Sequence, residues 1–146
     1  MKIAMIASEA SPFAKTGGLA DVLGTLSLAL ERLGHEVTLM IPAYRGALRG
    51  EFSLQDTGMT FTVPVSDRQE PASVLQTTIG KAVTVYLIRA DKYFDREFLY
   101  GTPAQDYPDN AERFVFFSRA ALELLNAQPA DIVHAHDWQA ALAIVF

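Results

Sequence analysis

The feature that most constrains the fold is a pair of short apolar runs separated by a helical pattern. The runs are "KIAMIAS", residues 2–8, and "EVTLMIP", residues 36–42. An almost unbroken apolar run of this length is typical of a strand in a parallel sheet, where both faces are buried. Parallel neighbours need a crossover connection, usually a helix, and that connection is right-handed. We therefore predict an α/β fold, a parallel sheet with helices on both faces.

Leucine spacing predicts the crossover helix between these two strands. The predicted buried stripe is Leu19, Val22, Leu23, Leu26, Leu30 and Leu33. Residues at this spacing share one face of a helix. Gly34 follows the stripe and is placed to end the helix.

A two-residue alternation predicts a different arrangement in the middle of the chain. "MTFTVPV", residues 59–65, alternates apolar and polar side chains. Residues 73–88 resemble two strands joined near Gly80-Lys81. These segments predict an antiparallel β-hairpin inserted at the edge of the sheet.

The last third of the chain predicts a second long helix and a third parallel strand. Asp109 and Glu112 have the spacing of a capping box. The predicted buried face of that helix is Ala111, Phe114, Val115, Leu122 and Leu125. "DIVHAHD", residues 131–137, predicts the strand, and Asp137 is placed to cap a further helix from Trp138. That helix reaches the last residue still apolar and uncapped, which predicts a fragment of a longer protein.

Length and composition exclude several classes of protein. The 146 residues suit one domain, and half of them are hydrophobic while a fifth are charged. A formal net charge of −5 argues against a nucleic-acid-binding protein, which is normally basic. There is no cysteine, hence no disulfide framework and no thiolate metal site, as suits a reducing cytoplasm. No apolar run reaches the roughly 18 residues of a membrane span, and a strand starting at Lys2 leaves no room for a signal peptide.

The segment Lys15-Thr16-Gly17-Gly18 lies where the first strand gives way to the helix. The first turn of a helix offers unpaired N–H groups and a partial positive charge, which together favour an anion. Glycine lets the backbone approach a diphosphate without a Cβ in the way, and the lysine adds a full charge. Ligands of open α/β sheets sit beyond the carboxyl ends of the strands, where this loop lies. A plain turn with a solvated lysine explains the spacing equally well, because neither common phosphate-binding glycine pattern is present.

Four segments carry a resemblance to a known family. They are "SEASPFAKTGGLADV", "GHEVTLMIPAY", "DNAERFVFFSRAALELL" and "DIVHAHDWQAAL", and the likeness runs through essentially the whole chain. The sequence resembles the N-terminal part of bacterial glycogen synthases, which are related to plant starch synthases. The resemblance implies the GT-B architecture, in which two Rossmann-like domains face each other across a cleft. Residues 1–146 would then be an incomplete N-terminal Rossmann-like domain that lacks its C-terminal partner domain.

The resemblance also implies an activity, that of a retaining glucosyltransferase of glycogen biosynthesis in the cytoplasm. Its partners would be ADP-glucose and the non-reducing end of an α-1,4-glucan such as glycogen, with no cofactor, metal, nucleic acid or membrane. Such enzymes place further essential groups beyond residue 146, so these residues alone are expected to be inactive and no catalytic residue is assigned. Two other interpretations stay open: a GT-B transferase with a different sugar nucleotide, and a non-enzymatic glucan- or nucleotide-binding module.

On the positions that match the family motif, the resemblance assigns ADP-glucose binding to Lys15, Gly17, Gly18 and Asp21. Breaking the glucosyl–phosphate bond leaves negative charge on ADP. Groups aimed at the departing phosphate stabilise the transition state more than the ground state. For Asp21 a second role is open, a favourable charge in the first turn of the helix, worth roughly 0.3–1 kcal/mol.

His136 and Asp137 are candidate contacts to the glucan acceptor, because the resemblance places the end of their strand at the cleft. Period-two alternation puts His134 and His136 on one side of the strand. A zinc site there lacks an evident third ligand. Asp137 suits a helix N-cap as well as a cleft contact. Trp138 is expected in the core rather than as a platform for stacking a sugar.

Glu9, Tyr93 and Asn110 complete the candidate cleft contacts. Glu9 follows the first strand and either orients sugar hydroxyls or is an ordinary loop acid. The family often shows tyrosine directly before Asp-Arg, whereas this sequence has Phe94 there and Tyr93 one residue earlier. Tyr93 therefore either compensates or only lines the acceptor groove. Asn110 belongs to a segment that matches the family, and Arg113 beside it suits a structural ion pair equally well.

Overall fold

A six-stranded mixed sheet organises the chain in the computed structural model, which describes all residues from Met1 to Phe146. The strands are β1 (Lys2–Ile6), β2 (Glu36–Pro42), β3 (Gln55–Val65), β4 (Arg68–Ile79), β5 (Val83–Arg89) and β6 (Ile132–Ala135). The helices are α1 (Gly18–Arg32), α2 (Arg45–Arg49), α3 (Asp91–Phe94), α4 (Asn110–Ala127) and α5 (Trp138–Ala141), followed by a 3₁₀ turn (Leu142–Ile144). The order across the sheet is β3-β4-β5-β2-β1-β6. None of the helices combines the length and apolar character that a membrane crossing needs.

Four strands, β5, β2, β1 and β6, form the parallel part of the sheet. β1 pairs with β2 on one side, with Met5 opposite Leu39, and with β6 on the other, with Ile6 opposite Ala135. β5 continues the parallel part beyond β2. The predicted βαβ unit is confirmed, since α1 connects the parallel neighbours β1 and β2.

β3 and β4 form the antiparallel hairpin predicted at the edge of the sheet, and β4 also pairs antiparallel with β5. Both hairpin strands begin earlier than predicted, at Gln55 and Arg68. The turn from β4 to β5 lies at Gly80, where φ is +62° and an added Cβ would come within 2.5 Å of Leu28. Glycine is favoured there for its backbone conformation, and a larger residue would also displace the end of the Leu28 side chain. The Glu31 carboxylate of α1 accepts the next two backbone N–H groups, which ties this turn to the helix.

Alternate side chains of β1 enter two separate cores. Ile3 and Met5 pack in the core on the α1 side of the sheet, and Ala4 and Ile6 pack in the core that contains the aromatic side chains of α4. Each of these four residues is buried. Helices therefore cover both faces of the sheet, as predicted, and this explains why the central strands are apolar without interruption.

The position of α1 confirms the predicted helix but not its whole buried stripe. Val22 and Leu33 are 51% and 74% exposed, whereas Ala20 and Leu23 are fully buried. The prediction was wrong for Val22 and Leu33 because it considered only large side chains. The buried face of α1 also includes the small side chain of Ala20. The helix ends as predicted at Gly34, where φ is +84°. The N–H groups of Gly34 and the following residue bond back to the last turn in a Schellman motif.

The predicted capping box at the start of α4 does not form. The Asp109 carboxylate accepts a hydrogen bond from Arg96 at 2.7 Å, and the Glu112 carboxylate accepts one from Arg68 at 2.6 Å. Both carboxylates therefore bind arginines, and the Asp109 side chain accepts no N–H of the first turn of α4. The predicted buried face was also too narrow, because α4 packs against β3 and against α5. The buried residues are Arg113, Phe114, Phe116, Phe117, Ser118, Ala120, Ala121 and Leu124. Ala111, predicted to be buried, is exposed.

The start of α5 is at Trp138, as predicted, and the Asp137 carboxylate caps it by accepting the N–H of Trp138 at 2.7 Å. Trp138 itself is 53% exposed and touches Phe114 edge-on, with 5.3 Å between the ring centroids. The core position expected for Trp138 is therefore wrong. This short helix instead buries the next two residues, Gln139 and Ala140.

Candidate functional site

The carboxyl ends of β1 and β6 lie side by side and bring several predicted site residues into one region. The N–H of His136 donates to the carbonyl of Ile6 at 2.9 Å, so the chain after β6 runs beside the chain after β1. Glu9 follows β1 shortly after its end, and Asp137 follows β6 in the same way. Because open α/β sheets bind ligands beyond this edge, the residues gathered there form the candidate site.

The loop between β1 and α1 places Lys15 beside the first turn of the helix. Its Nζ donates to both carboxylate oxygens of Asp21, each at 2.8 Å, and Ser11 Oγ donates to the same carboxylate at 3.2 Å. The bond to Lys15 is the main reason that the pKa of Asp21 is lowered. Both side chains of the ion pair remain about half exposed. The ammonium group is therefore held in place while it still faces solvent.

The first turn of α1 is open, because its N-cap residue makes no side-chain hydrogen bond to the N–H groups of that turn. Gly17 is the N-cap residue, and the N–H groups of Gly18 and Leu19, which are not buried, donate to no group of the chain. A Cβ added at Gly17 or Gly18 would meet no atom within 4 Å. At Gly17 φ is −154°, extended backbone that any residue adopts. Contacts with the rest of the protein do not require either glycine, so the space over the helix start is available to a ligand.

Glu9 is buried behind this helix start, and donors of the protein surround its carboxylate. Oε2 accepts the N–H of Thr16 at 2.6 Å and that of Gly17 at 3.4 Å. Oε1 accepts the hydroxyls of Thr16 at 2.7 Å and of Tyr100 at 2.6 Å. Glu9 is only 4% exposed, so it holds the loop, and the geometry gives no support to an orienting role toward sugar hydroxyls. The N–H of Gly17 likewise points inward, and the amides that face the open space begin at Gly18.

Tyr100 and Asn110 connect this loop to α4. The Tyr100 hydroxyl lies 2.8 Å from Ser8 Oγ as well as 2.6 Å from Glu9. Burial, and then the bond to Glu9, raise the pKa of Tyr100. Asn110 Nδ2 donates to the carbonyl of Tyr100 at 2.7 Å, and its Oδ1 accepts from Arg113 at 2.7 Å. The amide of Asn110, predicted as a cleft contact, is thus engaged in holding the loop.

Arg113 is fully buried and forms no ion pair, contrary to the structural role considered for it. Its Nε donates to the carbonyl of Tyr93 at 2.8 Å, and Nη1 donates to the carbonyl of Leu99 at 2.9 Å and to Asn110. The guanidinium also lies over the rings of Phe94 and other aromatic residues. Burial lowers the pKa of Arg113. This side chain fastens the ends of the segment between α3 and α4.

The structure does not bring Tyr93 to the candidate site. Tyr93 is 1% exposed, its ring packs against Phe116 with 4.8 Å between centroids, and its hydroxyl donates to Glu112 at 2.8 Å. Phe94 is fully buried in the same core. Tyr93 contributes instead to the wall of a cavity of about 820 Å³ between the hairpin and α3, which holds none of the other predicted site residues.

His134, in β6, and His136, the first residue after β6, stack on each other. The ring centroids of His134 and His136 are 3.9 Å apart, which confirms that both lie on one side of the strand. Nε2 of His136 is buried without a hydrogen-bond partner. Burial, and then the neighbouring His134, lower the pKa of His136. No group of three or more histidine, cysteine, aspartate and glutamate side chains is placed to hold a metal ion.

Asp137 has the most strained backbone near the site. Its φ of 63° and ψ of 177° fall in a region that is almost confined to glycine. Its carboxylate is exposed apart from the bond to the N–H of Trp138. Such conformations cluster at functional sites, so the strain supports a functional role for Asp137 beyond the cap.

A cavity of about 500 Å³ lies against the β1–α1 loop. Lys15 and Thr16 form one wall of this cavity. The other wall consists of Glu97, Phe98, Leu99, Tyr100, Gly101, Thr102, Pro103 and Asp106. The predicted donor loop therefore borders a concave surface whose opposite wall is the segment held by Arg113.

Thr16, Ser8 and Tyr100 contribute to the site but were not predicted from the sequence. Thr16 was within the motif, but only the structure shows that its hydroxyl and N–H both bind Glu9. Tyr100 lies 91 residues from Glu9 along the chain, and no local pattern signals a contact over that distance.

The sheet order and the glycine-started helix at its carboxyl edge define a Rossmann-like α/β domain. Residues 2–146 match the model of the starch synthase catalytic domain family, and the chain belongs to that family. It is similar to glycogen synthase 2 of Geobacter sulfurreducens, with 42% identity over 144 residues, and to glycogen synthase of Elusimicrobium minutum, with 50% identity over 146 residues. Each alignment covers 97% of this chain and 30% of the relative. The chain thus spans about 30% of the length of these relatives.

A solved structure shows the same fold. The chain is similar to the catalytic domain of starch synthase IV from Arabidopsis thaliana bound to ADP and acarbose, with 34% identity and a TM-score of 0.83. The match covers 95% of this chain and 28% of that one. Fold and family therefore agree with the resemblance noted in the sequence.

Proposed function

We propose that the chain is the incomplete N-terminal domain of a cytoplasmic glycogen synthase. The complete enzyme transfers glucose from ADP-glucose to the non-reducing end of an α-1,4-glucan, with retention of anomeric configuration. The observation that carries the proposal is the open start of α1. There the N–H groups of Gly18 and Leu19 are unpaired, Lys15 is fixed beside them, and no Cβ occupies the space at Gly17 and Gly18.

This geometry suits the departing diphosphate of a nucleotide sugar. Unpaired amides and the helix dipole attract negative charge, and a full cation beside them adds to the attraction. The charge on the diphosphate grows as the glucosyl–phosphate bond breaks, so these groups stabilise the transition state more than the bound donor. Family membership and the ADP in the related plant structure support ADP as the nucleotide.

The acceptor glucan would approach from the side of β6. Asp137 stands exposed at the end of that strand in a strained conformation, and His136 precedes it. The cavity of about 500 Å³ beside Lys15 offers a second concave surface for sugar rings. Hydroxyl-rich ligands need a few fixed polar groups in such a groove, and Thr16 and Asp106 are polar residues of its lining.

The complete reaction requires groups outside these residues. The candidate donor residues after β1 and the candidate acceptor residues after β6 belong to one Rossmann-like domain. In GT-B transferases a second domain faces this one across the cleft. We therefore expect no glucose transfer by residues 1–146 alone.

The decisive experiment measures transfer of labelled glucose to glycogen by the full-length protein with ADP-glucose and with UDP-glucose. We expect a kcat/KM at least tenfold higher with ADP-glucose. A preference for UDP-glucose would assign the protein to a GT-B transferase with another donor. Absence of transfer with either donor, together with ADP binding by residues 1–146, would favour a binding module.

A further inference from the structure

We propose that Tyr100 is a positioning residue that sets the location of the donor-binding start of α1 by acting through Glu9. The inference rests on the proposed function for the role of that helix start. Tyr100 does not belong to the glycine loop and lies 91 residues from Glu9 along the chain. Its hydroxyl bonds Ser8 and Glu9, and of these two only Glu9 bonds Thr16 and Gly17, so its effect on those residues would pass through the Glu9 carboxylate.

Glu9 joins Tyr100 to the β1–α1 loop, because Tyr100 and the loop residue Thr16 donate to the same carboxylate. A carboxylate only accepts hydrogen bonds, so the Tyr100 hydroxyl must donate its one hydrogen to Glu9. The Ser8 hydroxyl then donates to the Tyr100 oxygen. The remaining donors to Glu9 come from Thr16 and Gly17. Loss of the Tyr100 hydroxyl would leave Oε1 held by Thr16 alone.

Tyr100 is itself fixed from the side of α4. Its carbonyl accepts from Asn110 at 2.7 Å, and Asn110 accepts from the buried guanidinium of Arg113. The same guanidinium donates to the neighbouring carbonyl of Leu99 at 2.9 Å. The Tyr100 ring packs against Phe114, with 5.9 Å between the centroids. The hydroxyl therefore reaches Glu9 from a loop that side chains of α4 hold in place.

The loop residues that Glu9 holds come directly before the unpaired amides. Thr16 and Gly17 are followed at once by Gly18, the first residue of α1. A displacement of the Thr16 backbone would move the Gly18 amide and Lys15 relative to the bound diphosphate. Misplacement of a binding group by about 1 Å can cost on the order of a hundredfold in rate, so small shifts here are measurable.

The first test replaces Tyr100 with phenylalanine in the full-length protein. Tyr100→Phe keeps the ring and its packing and removes only the hydroxyl. We expect the KM for ADP-glucose to rise roughly tenfold, with the KM for glycogen unchanged. Tyr107→Phe is the matched control, because the Tyr107 ring stacks on Arg96 while its hydroxyl makes no hydrogen bond within the chain. Equal donor KM values for the Tyr100→Phe and Tyr107→Phe proteins would overturn the proposal.

The second test asks whether the effect passes through Glu9. Thr16→Val removes the other hydroxyl on Oε1, whereas Thr16→Ser keeps it and should retain the donor KM. Since Thr16 and Tyr100 share one oxygen, the Tyr100→Phe and Thr16→Val changes should be non-additive in a double-mutant cycle. Strict additivity would show that Tyr100 does not act through that carboxylate and would overturn the proposal.

The third test does not depend on the identity of the donor. The Thr16 N–H is bonded to a buried carboxylate at 2.6 Å, so its amide hydrogen should exchange slowly with solvent. Hydrogen exchange of the segment 9–18 should accelerate in the Tyr100→Phe protein and not in the Tyr107→Phe protein. Unchanged exchange in the Tyr100→Phe protein would overturn the positioning role. Failure of the wild-type protein to use ADP-glucose would instead overturn the proposed function and leave the exchange result to decide this inference.

Discussion

The Lys15 ammonium lies 2.8 Å from both carboxylate oxygens of Asp21, beside the open start of α1. The carboxylate thus fixes the position of the cation without covering the unpaired amides of the first turn. A cation that is already held loses less side-chain freedom when an anion binds. The pair therefore explains why both residues belong to the motif, one as the charge and the other as its support.

Lys15→Ala should lower kcat/KM for ADP-glucose by about a hundredfold in the full-length protein, since removing one donor to a developing negative charge typically costs that much. Steady-state kinetics with ADP-glucose varied at saturating glycogen measures the effect. Lys81→Ala is the matched control, because the Lys81 ammonium makes no hydrogen bond or ion pair and lies at the β4–β5 turn. Wild-type kinetics for Lys15→Ala would remove Lys15 from the donor site.

Asp137→Gly should stabilise the protein and impair transfer at the same time. The backbone of Asp137 lies in a region that costs about 1–3 kcal/mol for a residue other than glycine, and glycine at an N-cap loses only a few tenths of a kcal/mol. We expect the free energy of unfolding, measured in urea, to rise by about 1 kcal/mol. Asp137→Ala removes the carboxylate and keeps the strain, so this control should impair transfer without stabilising. A Gly variant no more stable than the Ala variant would contradict the strain argument.

Arg113→Leu should lower the free energy of unfolding by about 3 kcal/mol or more, because it leaves buried acceptors of Tyr93, Leu99 and Asn110 without donors. Arg113→Lys should not restore the loss, since an ammonium group cannot reproduce the fork of the guanidinium. Urea denaturation measures both variants. Arg49→Leu, at an exposed position, is the control and should change stability little. A similar small change in Arg113→Leu would exclude the fastening role.

Acid should weaken the fold partly through Asp109. The bond to Arg96 is the main reason that the pKa of Asp109 is lowered in the folded protein. Its stabilising contribution is therefore complete above the unfolded pKa of about 3.9 and is lost as the pH falls through the lower folded pKa. Because the pair is partly exposed, the contribution should be roughly 0.5–1 kcal/mol.

The check compares wild-type protein with Asp109→Asn by urea unfolding at pH 7 and pH 3. The variant should be less stable at pH 7 and should lose less stability between the two pH values. Asp67→Asn, which removes an exposed carboxylate without a partner, should follow the wild type at both pH values. Equal acid sensitivity in the wild-type and Asp109→Asn proteins would contradict the assignment.

Strand and helix order followed from the sequence because it depends on hydrophobic periodicity, which is a local property. The runs at residues 2–8 and 36–42 became β1 and β2, and Gly34 ended α1. Buried faces were harder to predict. The approach of Ala20 to the sheet and the burial of Arg113 depend on what packs against each helix, which the spacing of large apolar residues does not contain.

The contacts at the candidate site are also of two kinds, those between residues close in sequence and those between distant segments. Lys15, Gly17, Gly18 and Asp21 lie together because they belong to one loop and one helix turn, so their proximity follows from sequence separation alone. The bonds from Tyr100 to Glu9 and from Arg113 to Leu99 join segments that come together only in the fold. Tyr93 lies one residue before the position where the family often has a tyrosine. In the structure its side chain is buried in the core and not at the candidate site.

The buried Glu9 carboxylate has a consequence for how quickly a nucleotide sugar could be captured. Since four hydrogen bonds from Thr16, Gly17 and Tyr100 already immobilise the loop, association needs no slow rearrangement of its backbone. The encounter with this loop would then be governed by diffusion. Replacing Glu9 would remove these four hydrogen bonds, and the loop would then have to be ordered each time a donor binds.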